Sequence, residues 1–112
     1  MEVDMSFEVD VRALAAAHAD GAVVVDVREP HEYLTGHVPS ARLIPAGELR
    51  ARVHELPRRE RVHVICASGS RSAAAADWLT RVGFDAASVA GGTEAWRRAG
   101  HPVVSGPREA TA

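Results

Sequence analysis

Two short runs rich in β-branched residues, Ala22-Val23-Val24-Val25 and Val62-His63-Val64-Ile65, constrain the fold more than any other feature. A strand with one wet face alternates apolar and polar residues, whereas a strand covered on both faces is apolar almost throughout. Strands of the second kind belong to parallel sheets with helices packed on either side. The rest of the chain alternates strand-like and helix-like signals, as a layered α/β domain with a mainly parallel sheet requires.

The helix signals come with their own stops. Asp10 is placed to cap a helix whose Val11, Leu14, Ala15 and His18 share a face, and Asp20-Gly21 ends it. Glu29-Pro30 opens a short helix that Gly36 closes. Ala41 to Pro45 reads as a short strand, followed by a helix from about Gly47 to Leu56. After Leu56-Pro57 and the charged turn Arg58-Arg59-Glu60-Arg61 comes the second strong strand. The spacing of Ala75, Trp78, Leu79 and Val82 is helical, with Gly83 at the C′ position and Trp78 expected in the core. Ala86 to Ala90 is a weak strand, Gly91-Gly92 a tight turn, and Thr93 to Arg98 a last helix closed by Gly100, with Trp96 packing beneath it. A single domain over residues 1–104 is expected, with a disordered tail over residues 105–112.

Composition removes several classes of function. A net charge of −2 over 112 residues gives no reason to expect nucleic acid. All 13 basic residues are arginine, so no lysine amine exists for Schiff-base or general-base work. The longest apolar stretches fall far short of a membrane span. The six histidines lack metal-ligand spacing, so neither a metal nor a cofactor is expected. The single cysteine cannot form an internal disulfide and suits a reducing compartment. With no signal peptide visible, the cytoplasm is the expected location.

That cysteine, Cys66, stands between the end of the second strand and the start of an alanine-rich helix. Main-chain N–H groups there are unpaired and converge, which stabilises a thiolate or an anion bonded to sulfur. A thiol with a pKa of ~8.5 is only about 3% ionised at pH 7. Lowering the pKa to ~6.5 would ionise roughly three quarters, but the accompanying loss of nucleophilicity is about six- to tenfold. Activating the attack therefore cannot be the loop's main contribution. Making Cys66 a better leaving group, and holding an anionic sulfur away from water, are larger effects. Gly69 supplies the backbone freedom a tight anion loop needs. Arg71 adds a permanent cation at the mouth, while Ser70 and Ser72 add hydroxyl donors. Ser72 could also serve as an N-cap.

Taken together, four ordered segments resemble the rhodanese-like family of single-domain sulfurtransferases. They are Asp26-Val27-Arg28-Glu29; Glu32-Tyr33 through Gly36-His37-Val38-Pro39-Ser40-Ala41; Cys66-Ala67-Ser68-Gly69-Ser70-Arg71-Ser72; and Gly91-Gly92 followed by Trp96 and Gly100. The resemblance runs from about Met5 to Val104. It implies a five-stranded parallel sheet flanked by helices on both faces, with the Cys66 loop at the carboxyl end of the central strands. It also implies that Cys66 takes a sulfane sulfur as a persulfide and passes it to a nucleophilic acceptor. The loop Ala67, Ser68, Gly69, Ser70, Arg71 and Ser72 would bind the substrate. Arg28 is expected to help bind anions and Asp26 to act mainly in structure. Glu32 and His37 are read as structural residues.

The expected partners are a small anionic sulfur donor and a thiol or cyanide acceptor, with thioredoxin or another sulfur-relay protein among the candidates. Nothing in the sequence calls for more than a monomer. Two other readings compete with a sulfurtransferase that uses thiosulfate or a persulfide as donor. One is a sulfur carrier or binding module restricted to a dedicated partner. The other is a cysteine-dependent phosphatase or arsenate reductase, whose Cys-x5-Arg loop is one residue longer than the Cys-x4-Arg here.

Overall fold

The computed structural model describes residues 7–108. Five strands, β1 (Phe7–Val9), β2 (Val23–Asp26), β3 (Arg42–Leu43), β4 (Val62–Ile65) and β5 (Ala86–Val89), form one sheet in the order β1-β5-β4-β2-β3. Every pairing is parallel. Four helices, α1 (Val11–Ala19), α2 (Pro30–Leu34), α3 (Leu49–Arg52) and α4 (Ser70–Arg81), lie between successive strands, and α5 (Gly92–Arg98) follows β5. The expected α/β architecture, with helices on both faces of a five-stranded parallel sheet, is the one observed.

The two β-branched runs explain why β2 and β4 lie inside the sheet. Successive side chains of a strand face opposite ways. Val62 and Val64 enter one core with Val25, Ala76 and Leu79, under α3 and α4, whereas Val24 and Ile65 enter the other with Leu14 and Trp96, under α1 and α5. Val25, Val62, Val64 and Ile65 are fully buried, and each contributes roughly 1.5–3 kcal/mol by leaving water. A strand with both faces apolar is stable only in the middle layer. β4, which leads directly into Cys66, is the central strand.

Local signals act as the residues dictate. The Asp10 carboxylate accepts the Ala13 N–H at 2.8 Å and caps α1. Pro30 is the first residue of α2, and Glu29 and Glu32 cap its start reciprocally. The helix expected from Gly47 to Leu56 is instead a 3₁₀ turn (Ala46–Glu48), one turn of α3 and a second 3₁₀ turn (Val53–Glu55). Confined between Pro45 and Pro57, it buries only Leu49 and Leu56, too few apolar contacts to regularise the segment. The weak strand Ala86–Val89 is buried at all four positions because it lies between β1 and β4.

The chain beyond α5 turns back over α2. Val104 pairs with His37, the Gly106 N–H donates to the Leu34 carbonyl at 3.0 Å, and a ring nitrogen of His37 lies 3.0 Å from the Arg108 carbonyl. The tail expected from Ser105 therefore makes defined hydrogen bonds as far as Arg108. The remainder of that expectation, residues 109–112, lies outside the described residues, as do residues 1–6 of the expected domain. Among the described residues no helix is long and apolar enough to cross a membrane.

Candidate active site

Cys66 is the first residue past β4, and four residues later α4 begins at Ser70. Gly69 makes the turn between them with φ +113°, a conformation that side chains rarely adopt, and caps α4. With the turn made this way, the Gly69 N–H donates to Sγ of Cys66 at 3.1 Å and the Ser72 N–H donates at 3.3 Å. The thiol in turn donates to the Ser72 hydroxyl oxygen at 3.4 Å. Burial pushes the Cys66 thiol up, but the Ser72 hydroxyl and the amides of Ser72, Gly69 and Ser68 outweigh it. The net direction is downward, toward the thiolate.

The amides face the sulfur because the carbonyls are held elsewhere. The N-terminus of α5 takes them: the Thr93 N–H and hydroxyl donate to the Cys66 carbonyl at 2.8 and 3.0 Å, and the Glu94 N–H donates to the Ala67 carbonyl at 3.0 Å. This contact requires a glycine at position 92, where a Cβ would lie 2.5 Å from the Cys66 oxygen and 2.6 Å from that of Ala67. The Gly91-Gly92 pair is thus part of the loop's support as well as a turn. Beneath the loop, Ser88 of β5 is fully buried, its hydroxyl 2.8 Å from that of Ser72.

The structure brings most of the expected site residues together and reassigns some of their partners. Cys66, Gly69 and Ser72 meet at the sulfur, with the Ser68 amide beside them. Ser70 stays exposed at the first position of α4, and Ser72, expected as a possible N-cap, instead donates its hydroxyl to the Gly69 carbonyl at 3.1 Å. Ala67 lines a shallow depression with Arg28, Glu32 and Thr93. Asp26, the last residue of β2, and Arg28, two residues past it, lie at the same sheet edge. Arg28, expected to bind anions, instead uses Nε and Nη2 on the buried Asp26 carboxylate at 2.8–3.1 Å. Nη2 also donates to the Gly36 carbonyl at 2.9 Å. Its observed contacts make Arg28 a clasp between the sheet edge and the end of α2.

Arg71 makes a two-pronged ion pair with Glu32, Nη1 to Oε1 at 2.7 Å and Nη2 to Oε2 at 2.9 Å. The guanidinium holds the Glu32 carboxyl down at about 2 even though partial burial opposes it. The Glu29–Glu32 capping spacing explains Glu32 locally and conceals this second partner. Oε1 accepts the Glu29 N–H at 3.0 Å and Arg71 as well. Ser88, Gly92 and Thr93 also escaped assignment to the site, because only the three-dimensional approach of β5 and α5 gives them their roles.

A buried sulfur ringed by amides, at the carboxyl end of a central parallel strand and the N-terminus of a 12-residue helix, can carry negative charge without water. The sequence pattern of the rhodanese-like domain matches residues 10–99. The chain belongs to the rhodanese-like family. Solved structures similar to this rhodanese-like domain include a rhodanese-related protein from Thermoplasma volcanium. It is 37% identical with a TM-score of 0.83, and the match covers 88% of this chain and 97% of that one. A thiosulfate sulfurtransferase from Pseudomonas aeruginosa is 28% identical with a TM-score of 0.84, over 95% of this chain but 21% of the other. A protein of unknown function from Rhodopseudomonas palustris, described as a possible tyrosine phosphatase, is 27% identical with a TM-score of 0.80, over 88% and 85% of the two chains.

Proposed function

We propose that this rhodanese-like domain transfers sulfane sulfur through a persulfide on Cys66. The observation that carries the reading is the pair of main-chain donors, Gly69 and Ser72, aimed at Sγ. In the first half-reaction the Cys66 thiolate attacks the outer sulfur of the donor. A new S–S bond forms as the donor's own S–S bond breaks, and the electron pair departs with sulfite (from thiosulfate) or a thiolate (from a persulfide). In the second, cyanide or a thiol attacks the outer sulfur of the persulfide, and Cys66 leaves as a thiolate.

Both half-reactions place negative charge on sulfur in the loop. Hydrogen bonds to a charged group contribute about 1.5–3 kcal/mol each. Losing one preorganised donor typically costs about 10²–10³ in rate. A thiolate stabilised this way is also the better leaving group. Sulfur transfer needs no general acid, which agrees with Asp26 and Glu32 both being held by arginines. The similarity to a thiosulfate sulfurtransferase supports the same reading. A chemistry that depends on a reduced lone cysteine suits the cytoplasm. Thiols there, including thioredoxin or another sulfur-relay protein, would be the acceptors.

The similarity to a possible tyrosine phosphatase favours a second reading. Against it stand the short Cys66-x4-Arg71 spacing and an Arg71 already occupied by a carboxylate. One comparison decides. Given thiosulfate and cyanide, the protein is expected to form thiocyanate, and Cys66→Ser to lose at least 99% of that activity. Hydrolysis of an aryl phosphate that vanishes on Cys66→Ser, with no thiocyanate formed, would replace the proposal with the phosphatase. Persulfide formation without turnover to cyanide would narrow it to a partner-restricted carrier.

A further inference from the structure

The Arg71–Glu32 pair changes what the mouth of the site can attract. An arginine alone would favour a dianion such as thiosulfate. Here its charge is matched by a carboxylate at 2.7–2.9 Å, one that stays ionised at any pH near neutrality because its pKa lies at about 2. The other arginines on that side are also engaged: Arg28 is paired with Asp26, and Arg97 donates to the Thr35 carbonyl with Glu94 lining the same depression. With Arg50 of the neighbouring groove counted, four arginines there (Arg28, Arg50, Arg71 and Arg97) stand against three carboxylates (Asp26, Glu32 and Glu94), which leaves one positive charge for the donor and none for a second negative charge.

Arg71 also borders a groove of about 250 Å³, lined by Ala46, Leu49, Ala74, Ala75 and Trp78 together with a second arginine, Arg50. That volume is roughly eight times the ~30 Å³ share of a water molecule, enough for a small hydrocarbon group. Trp78, expected in the core, keeps one face in this groove, and Arg50 lies over its ring at 5.2 Å. Since Arg71 belongs to both the Cys66 loop and the groove wall, a donor seated in the groove with its sulfur toward Cys66 meets the apolar lining and Arg50 first and the carboxylate-paired Arg71 last.

We infer that Glu32 and the Trp78 groove select monoanionic organic sulfur donors, of the persulfide or thiosulfonate class, over dianionic thiosulfate. The inference rests on the sulfur-transfer reading and names its donor. Glu32 is a specificity-determining residue: it repels the extra charge of thiosulfate and leaves the reacting sulfur untouched. The hydrocarbon portion of the donor occupies the groove. Benzenethiosulfonate is the suitable probe, because it differs from thiosulfate in replacing one anionic oxygen by an apolar ring. Attack by the Cys66 thiolate on its outer sulfur gives the persulfide and benzenesulfinate, which takes the electron pair.

The experiment compares kcat/KM for benzenethiosulfonate and thiosulfate, with cyanide as acceptor, in three proteins. In the wild type the organic donor is expected to be preferred by about tenfold or more, the scale of one or two screened charge contacts. Glu32→Gln is expected to shift the ratio toward thiosulfate by about tenfold. Ala74→Leu, at an exposed position that fills the groove without touching the core, is expected to lower the organic donor about tenfold more than thiosulfate. A wild-type preference for thiosulfate, or ratios unmoved by both variants, would overturn the inference while leaving sulfur transfer intact. If neither donor gave thiocyanate or a persulfide on Cys66, the underlying reading would be rejected instead.

Discussion

At Cys66 two opposing effects meet on one atom. The residue is fully buried, which disfavours a charge. Its sulfur nonetheless accepts from two amides and lies against the Ser72 hydroxyl, and these bonds prevail. The sign of the pH dependence follows. A thiol whose folded pKa is depressed adds stability above its unfolded pKa, and that contribution is lost as the pH falls through the folded value. Alkylation of the native protein by iodoacetamide, followed against pH, is therefore expected to have its midpoint below the ordinary ~8.5. Ser72→Ala should move the midpoint upward, since the hydroxyl is a strong contributor while the amide remains. A native midpoint at or above the ordinary value would remove the basis for a charged sulfur. The sulfur's position between strand and helix was readable from sequence. Which amides point at it was not: the donors are Gly69 and Ser72, with Ser68 nearby.

Among the elements, α5 has the least obvious part. Its first turn binds the carbonyls of Cys66 and Ala67 and so fixes which way the loop's peptides face. Gly92→Ala would drive a methyl group into both oxygens at 2.5–2.6 Å. A loss of more than about 2 kcal/mol in urea unfolding is expected, with at least a hundredfold drop in thiocyanate formation. Gly100 provides the control, because it also has positive φ (+84°) but open space around it. Gly100→Ala should cost about 1 kcal/mol and leave transfer unchanged. Equal effects of the two substitutions would mean that α5 does not orient the loop. Caps and breakers made most helix boundaries legible, as with Asp10, Pro30 and Gly83. The segment from Gly47 to Leu56 was misjudged as one helix because propensity alone cannot show that few of its side chains reach the core. β1 left no periodic signal in its three residues.

Over the whole molecule, the two-faced apolar runs settled the layer architecture, and with it the placing of Cys66 at the carboxyl edge of a parallel sheet. The charge arrangement around that edge was far less legible. Glu32 and Arg71 are 39 residues apart and meet only because α2 and α4 converge on the same end of the sheet. Arg28 likewise looked available for a ligand until the fold turned it onto Asp26 and Gly36. Local patterns thus reveal which residues stand at the site, while the assembled sheet decides which charges remain to meet a donor. The claim underlying all of this is that the loop can hold a sulfur atom on Cys66 as an anion. Intact-mass spectrometry after brief exposure to thiosulfate or benzenethiosulfonate and rapid desalting tests it most directly. A gain of one sulfur atom is expected, discharged by cyanide and absent from Cys66→Ser; an unchanged mass with both donors, or a gain that survives Cys66→Ser, would contradict a persulfide on Cys66.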